Sequence, residues 1–331
     1  MWHEILGEEF LSRSHLSRCP LGAPDAEDEV RKKDMQKISV IVPFYNAKTY
    51  LRSCITALLA QDYPVDDYEV LLVDNNSTDG SAEIAKQFSR IKVLVERRQG
   101  AYAARNKGLA EAGGTIIAFT DADCVPERDW LCTIAKAMRP AQVYIVLGYR
   151  QWSHTASTLL SMLEAHENQK AEFITNSQVP EIYIGYTNNM AVRREVFDTI
   201  GVFVERLRGS DTIFVLRTVQ AYSCAMVRYE PTMRVRHLEL NSIWKHYQKM
   251  WIYGRSSRLS QPLIFSRPLT RLEASQVFRE TVRRKGYSPV QGSVLYLLIK
   301  LEALSYRIGQ WAGKWVLWSR SMPSRGSRRE L

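Results

Sequence analysis

Two aspartates one residue apart, Asp121 and Asp123, follow directly on the apolar run Thr115–Thr120. At the end of a strand such a pair can divide the work. One carboxylate can hold a divalent cation that bridges two phosphates. The other can grip a ribose hydroxyl or a second water on that cation. Magnesium and manganese favour such oxygen ligands and take few protein carboxylates beside substrate phosphates. Acidic pairs at strand ends are also ordinary turn residues, so the pair gains meaning from its surroundings. Asp74 closes another apolar run, Tyr68–Val73, where it can accept from a base imide or a ribose hydroxyl. Pro43 and the turn after it form a third wall. Neither a GxGxxG nor a GxxxxGKS/T pattern is present, so nucleotide binding here would use neither familiar glycine loop.

The elements that must position these groups alternate. Ile38–Val42 is a β-branched run stopped by Pro43 and reads as a buried strand. Tyr50, Leu51, Cys54, Leu58 and Leu59 recur at helical spacing, and Pro64 with Asp66-Asp67 breaks that helix. Tyr68–Val73 is a second strand. Ser77–Asp79 offers cap residues for a helix from Ser81. Ile91–Val95 is a third strand, Gly100–Ala112 an alanine-rich helix ended by Gly113-Gly114, and Thr115–Thr120 a fourth strand. This β-α-β-α-β-α-β order predicts right-handed crossovers and a parallel sheet, with ligands beyond the carboxyl ends of the strands. Pro43–Asn46, Asp74–Asp79 and Asp121–Asp123 all fall there. Further on, 183–192 and 227–237 hold extended pieces, 193–199 a short helix and 212–219 another helix.

Five segments taken together resemble family 2 glycosyltransferases of the GT-A fold. They are Ile41-Val42-Pro43-Phe44-Tyr45-Asn46, Val73–Gly80, Ala104-Arg105-Asn106-Lys107-Gly108, Phe119–Asp123, and Thr187-Asn188-Asn189-Met190 continuing through Phe197 to Phe203. The resemblance covers roughly 38–240. It implies a single α/β, Rossmann-like GT-A domain with a mostly parallel central sheet flanked by helices, plus a C-terminal helical extension. It implies an inverting transferase that uses a nucleotide-diphospho-sugar, with uracil as the base, and a divalent cation, Mg²⁺ or Mn²⁺. Pro43, Tyr45, Asn46, Asp74, Arg105, Asn106 and Asp121 would line the donor nucleotide pocket, with Asp74 on the base and Asp121 on the ribose. Asp123 and His237 would hold the metal. Asn188 and Asn189 would sit near the donor sugar and acceptor. The family's general base, usually in a Glu-Asp pair, maps to Asp211. Ser210 stands where the Glu would be, which unsettles the acceptor contact that this position normally makes. Without the resemblance, Asp211 reads as a helix cap and His237 as a strand-end histidine.

The 331 residues, 45% hydrophobic and 24% charged, allow one large core and exclude a disordered or fibrous chain. Five cysteines without a CxxC read as free thiols in a reducing compartment, and the first twenty residues lack a secretory pattern. Residues 1–37 read as a poorly ordered leader, 38–240 as the catalytic domain and 241–331 as a basic, mainly helical extension. That extension holds 17 Lys+Arg against 4 Asp+Glu, more than the whole chain's excess of +10. Within it, Val290–Trp318 predicts a long apolar helix. Lys300, Arg307 and Lys314 form one stripe along it, with Trp311, Trp315 and Trp318 at its end. Tryptophan with Lys/Arg points to an anionic membrane surface, and packing on the catalytic domain is the other reading. The expected location is the cytoplasm, with peripheral attachment to the cytoplasmic membrane face if the helix binds lipid; the acceptor is a glycan or, given membrane association, a lipid-linked one. Three rivals stand beside this reading: a nucleotidyltransferase, which lacks its glycine- and lysine-rich loop, a non-catalytic nucleotide-sugar-binding protein, and a nucleic-acid binder. The acidic edge opposes the last, and no specific nucleic acid is expected.

Overall fold

The computed structural model describes residues 36–153, 157–206, 208–259 and 263–321, the side chains of 258–259 and 316–321 excepted. The leader expected over 1–37 lies almost wholly outside these residues, as does the Trp318 side chain.

The first half follows the expected alternation. Strand β1 (Ile38–Phe44) is buried at every position, as a β-branched run in the middle of a parallel sheet must be. Helix α1 (Leu51–Leu59) buries Leu51, Cys54, Ile55 and Leu58 on one face. Strand β2 (Tyr68–Asp74), helix α2 (Ser81–Ala85), strand β3 (Lys92–Val95), helix α3 (Ala101–Glu111) and strand β4 (Ile116–Thr120) complete the unit. Helix α2 has only five residues and starts after Gly80, whose left-handed backbone (φ 89°) turns the chain into it without a side-chain cap. The Ser77–Asp79 segment is therefore turn rather than N-cap, although Asp79 Oδ1 still accepts from Ser81 N at 3.0 Å.

The second half adds strand β5 (Cys124–Pro126), helix α4 (Trp130–Ala137), strand β6 (Ile145–Trp152), helix α5 (Thr158–Asn176), strand β7 (Asn189–Arg193), helix α6 (Arg194–Ile200), helix α7 (Ser210–Ala221) and strand β8 (Val227–His237). All eight strands join one mixed sheet in the order β3-β2-β1-β4-β7-β6-β8-β5. Pairing is parallel from β3 to β4, antiparallel for β4–β7, β7–β6 and β8–β5, and parallel again for β6–β8. The antiparallel insertion of β7 beside β4 carries Asn188 and Asn189 back to the end of β4, where the acidic pair begins.

Phe119, Phe197, Phe203 and Phe214 pack with ring centroids 4.7–6.2 Å apart, joining β4, α6, α7 and the loop between those helices. Each such ring pair adds about 0.5–1.5 kcal/mol beyond area burial, and the cluster fixes the loop that leads into Asp211.

Helix α8 (Ile243–Leu259), helix α9 (Arg271–Lys285) and helix α10 (Pro289–Ser321) form the expected helical extension. A Cβ on Gly254 would lie 1.9 Å from the Tyr306 carbonyl oxygen, and one on Gly309 would lie 2.0 Å from that of Trp251. Glycine at both positions lets α8 and α10 run with their backbones in contact. Leu295 and Leu298 of α10 share a core with Leu160, Met162 and Leu163 of α5. Helix α9 starts with a full capping box, Thr270 with Glu273. Cys54, Cys124 and Cys224 are free thiols.

Candidate active site

The carboxyl ends of β1, β2 and β4 meet as the alternation requires. Asn46, in left-handed backbone (φ 48°), accepts from Thr78 N at 2.8 Å through its side chain, so the loop after β1 clasps the loop after β2. Asp74 is buried and its Oδ1 accepts from Ser77 N at 3.0 Å. Asn75 ties the same rim to the segment before α3, accepting from Gly100 N and donating to the Glu96 and Arg98 carbonyls. Pro43 is buried within β1, whereas Tyr45 stands 54% exposed at the mouth.

Arg105 on α3 joins the two acidic centres. Its Nη2 lies 2.5 Å from Asp121 Oδ1, and its charge also acts on Asp211. Burial pushes the Asp211 carboxyl above its ordinary range. Arg105 and hydrogen bonds from Thr212 N, the Tyr102 hydroxyl and Thr187 N pull it part of the way back. Oδ1 accepts from Thr212 N at 2.9 Å and Oδ2 from Thr187 N at 3.3 Å. These two backbone donors on a carboxylate with about four acceptor positions leave room for more. Asp211 therefore satisfies an N–H of the first turn of α7, whose N-cap is Gly209, and keeps an acceptor position at the same time.

Asp123 Oδ2 lies 3.3 Å from His237 Nδ1, because β5 pairs with β8 and sets Cys124 opposite His237. Burial, then Asp121, pushes the Asp123 carboxyl up to about 7, against the pull of Lys249. Burial first, then Lys249 and Arg150, holds the His237 ring well below the usual imidazole range. Ligand atoms of Asp123, Cys124 and His237 lie within 4.8 Å of one another, and the buried His237 Nδ1 has no well-aligned hydrogen-bond partner among the described residues. An orphaned ring nitrogen beside a carboxylate fits a divalent cation. The Cys124 thiol, raised well above its ordinary range by burial and by Asp123, stays protonated and is the poor third donor.

Two expected pocket residues are placed otherwise. Asn106 spends its amide on the backbone of Phe203, donating to the carbonyl at 2.8 Å and accepting from the N–H at 3.1 Å. It holds the loop before Asp211 rather than facing a nucleotide. Asn189 is fully buried, donates to the Tyr149 and Met233 carbonyls and accepts from Trp130 Nε1. With its amide so occupied, it braces the sheet and is not free for sugar or acceptor. Asn188, by contrast, keeps a buried side-chain oxygen without a partner among the described residues. Ser210 is also completely buried, its hydroxyl without a partner among the described residues, so it is not exposed to an acceptor.

Two further residues belong to the site. Tyr102 lies one turn before Arg105 on the same helix face, a spacing visible in the sequence. Lys249 Nζ lies 3.2 Å from His237 Nε2, and no sequence pattern pointed to it.

Residues 39–201 match the family model described as glycosyl transferase family 2. Glycosyltransferase AglE of Haloferax volcanii is 35% identical over 192 residues, covering 56% of this chain and 62% of that protein. The putative glycosyltransferase EpsH of Bacillus subtilis is 28% identical over 224 residues, 64% of each chain. The matches thus span under two thirds of these relatives' length. Among solved structures, a mannosyltransferase from Pyrobaculum calidifontis in complex with GDP-Man and Mn²⁺ superposes with a TM-score of 0.52 at 20% identity, over 87% of this chain and 76% of that one. Staphylococcus aureus TarS gives 0.50 at 18% identity, over 83% and 55%. These two likenesses speak to the fold. Taken with the family match over residues 39–201, they support a glycosyl transferase family 2 domain with a GT-A-like mixed sheet, followed by a C-terminal helical extension.

Proposed function

We propose that this protein is an inverting glycosyltransferase that moves a sugar from a nucleoside diphosphate, UDP being the first candidate, onto an acceptor hydroxyl. The observation that carries this reading is the sharing of one buried guanidinium, Arg105, by Asp121 at the end of β4 and Asp211 at the start of α7. Groups 90 residues apart in the chain are thereby coupled through one side chain, which supports a common site.

Asp74 and Asp121 bind the nucleoside, with Arg105 holding the Asp121 carboxylate in place. Asp123 and His237 would hold a divalent cation, which when bound neutralises charge on the departing diphosphate. Asp211 accepts the acceptor's hydroxyl proton. The hydroxyl oxygen bonds to the anomeric carbon from the face opposite the leaving group, and the diphosphate departs with the electron pair of the broken C–O bond. A single displacement of this kind inverts the anomeric carbon. Positioned proton transfer contributes about 10²–10⁴-fold, and Asp211 suits it because burial raises its basicity while hydrogen bonds fix its orientation.

A second element of the reading concerns the acceptor. Leu297, Leu301, Leu304, Ile308, Trp311 and Trp315 recur every three to four residues along α10 and are 40–72% exposed. Lys300, Arg307 and Lys314 run beside this stripe. Among the described residues no helix is long and apolar enough to cross a membrane. An apolar stripe edged with cations suits a helix lying on an anionic bilayer, and a lipid-linked acceptor follows from that placement.

Incubation with a panel of nucleotide sugars, Mn²⁺ and a membrane extract tests the activity. Released nucleoside diphosphate with one donor supports transfer, and no release with any donor overturns it. Flotation with anionic liposomes tests the surface. Replacing Leu304 and Trp311 by serine should abolish flotation, and unchanged flotation removes the membrane assignment.

A further inference from the structure

Lys249 belongs to α8, in the basic extension, yet its ammonium reaches the acidic end of the sheet. Its Nζ lies 3.2 Å from His237 Nε2, and its charge acts on Asp123 and Asp121. Among the described residues it makes no ion pair, and its one hydrogen bond goes to that ring nitrogen. A lysine ammonium has three donors, so two remain unspent beside a pair of carboxylates. Arg105 differs, since it is committed to Asp121. Tyr253, one turn further along α8, carries the Arg208 guanidinium on its ring face at 5.0 Å. Helix α8 thus brings the Lys249 ammonium to the end of β8, beside His237.

His237 is one of the residues that would hold the cation, so its contact with Lys249 sets the ammonium next to the place where the donor reading puts the diphosphate charge.

We propose that Lys249 is a diphosphate-binding residue of the donor site, a built-in cation that pairs with the nucleotide's phosphates with or without a divalent ion. This rests on the donor reading given above. It makes the C-terminal extension part of the nucleotide site. It also predicts that nucleotide binding survives chelation, because one positive charge is covalently supplied.

The test is UDP and GDP binding by calorimetry, each in Mn²⁺ and in EDTA, for the wild type, Lys249→Gln and Lys249→Arg. Loss of a charge-assisted hydrogen bond corresponds to about tenfold or more in affinity. Wild type should retain measurable affinity in EDTA for the nucleotide it binds in Mn²⁺. Lys249→Gln should lose about tenfold or more in EDTA, and Lys249→Arg should restore most of it. A purely structural lysine would not show rescue confined to the charge. Equal binding by wild type and Lys249→Gln in both media overturns the proposal and leaves the donor reading intact. A wild type that binds in Mn²⁺ and not at all in EDTA overturns it without reference to any variant. A wild type that binds neither nucleotide in either medium defeats the donor reading, and this proposal with it.

Discussion

Arg105 and Asp121 face each other at 2.5 Å, and the charge of the same guanidinium acts on Asp211. One buried cation therefore couples electrostatically to both the proposed nucleotide-binding carboxylate and the proposed base. Arg105→Met should lower thermal stability and transfer together. Breaking a fully buried pair costs about 3–5 kcal/mol, and the one-third exposure of Asp121 places this pair at the low end. A thermal melt and a kcat/KM measurement on the same sample check both effects. A variant with lowered stability and unchanged kcat/KM would confine Arg105 to a structural role.

Asp123 and His237 should govern metal-dependent nucleotide binding. Even outer partners of metal ligands cost about 10–100-fold in metal affinity when lost, so Asp123→Ala and His237→Ala should each weaken Mn²⁺-dependent binding by at least that. Titration of Mn²⁺ at fixed UDP reads the effect directly. Cys124→Ser should change the titration far less, because a sulfur ligand suits Mn²⁺ poorly beside carboxylate and imidazole.

The pH dependence has a defined sign. Asp211 acts as a base only when deprotonated, so turnover falls as pH drops through its pKa in the folded protein. Burial raises that pKa above the ordinary aspartate value of about 3.9, which moves the acid limb of the kcat/KM profile to higher pH. The Tyr102 hydroxyl pulls it down again. Tyr102→Phe should therefore shift the acid limb further upward, with less change in the alkaline limb. A downward shift would contradict the assigned contact.

Asn189 provides a structural counterpart. Asn189→Ala would leave the Tyr149 and Met233 carbonyls and the Trp130 indole N–H buried without their partner. Each such orphan costs about 1–3 kcal/mol. Denaturant unfolding should report a loss of this size, without a selective rise in KM for the donor.

The half of the sheet that runs β1, β2, β3 and β4 was legible because β-branched and apolar runs alternate with helical spacing. Each functional carboxylate ends such a run, where a parallel sheet opens its ligand cleft. Asp74, Asp121 and Asp123 could be placed on that ground, and the family resemblance supplied Asp211 and His237. Amides were not legible in the same way. Asn106 and Asn189 look like Asn188 in sequence, but their partners are the backbone of residue 203 for one and of 149 and 233 for the other. Only the tertiary fold shows which amide is spent on backbone and which is left unpaired. Lys249 was hidden for a related reason. It lies twelve residues beyond His237 in a basic stretch where every cation reads as a solvated surface charge. Only the packing of α8 shows that it turns toward His237.

The central claim concerns Asp211. The most direct measurement compares wild type with Asp211→Asn for nucleotide affinity and for single-turnover sugar transfer with the donor identified from the panel. The expected result is unchanged affinity with transfer reduced by about 10²-fold or more, since asparagine keeps the shape and cannot take a proton. Transfer near the wild-type rate would remove Asp211 from the chemistry.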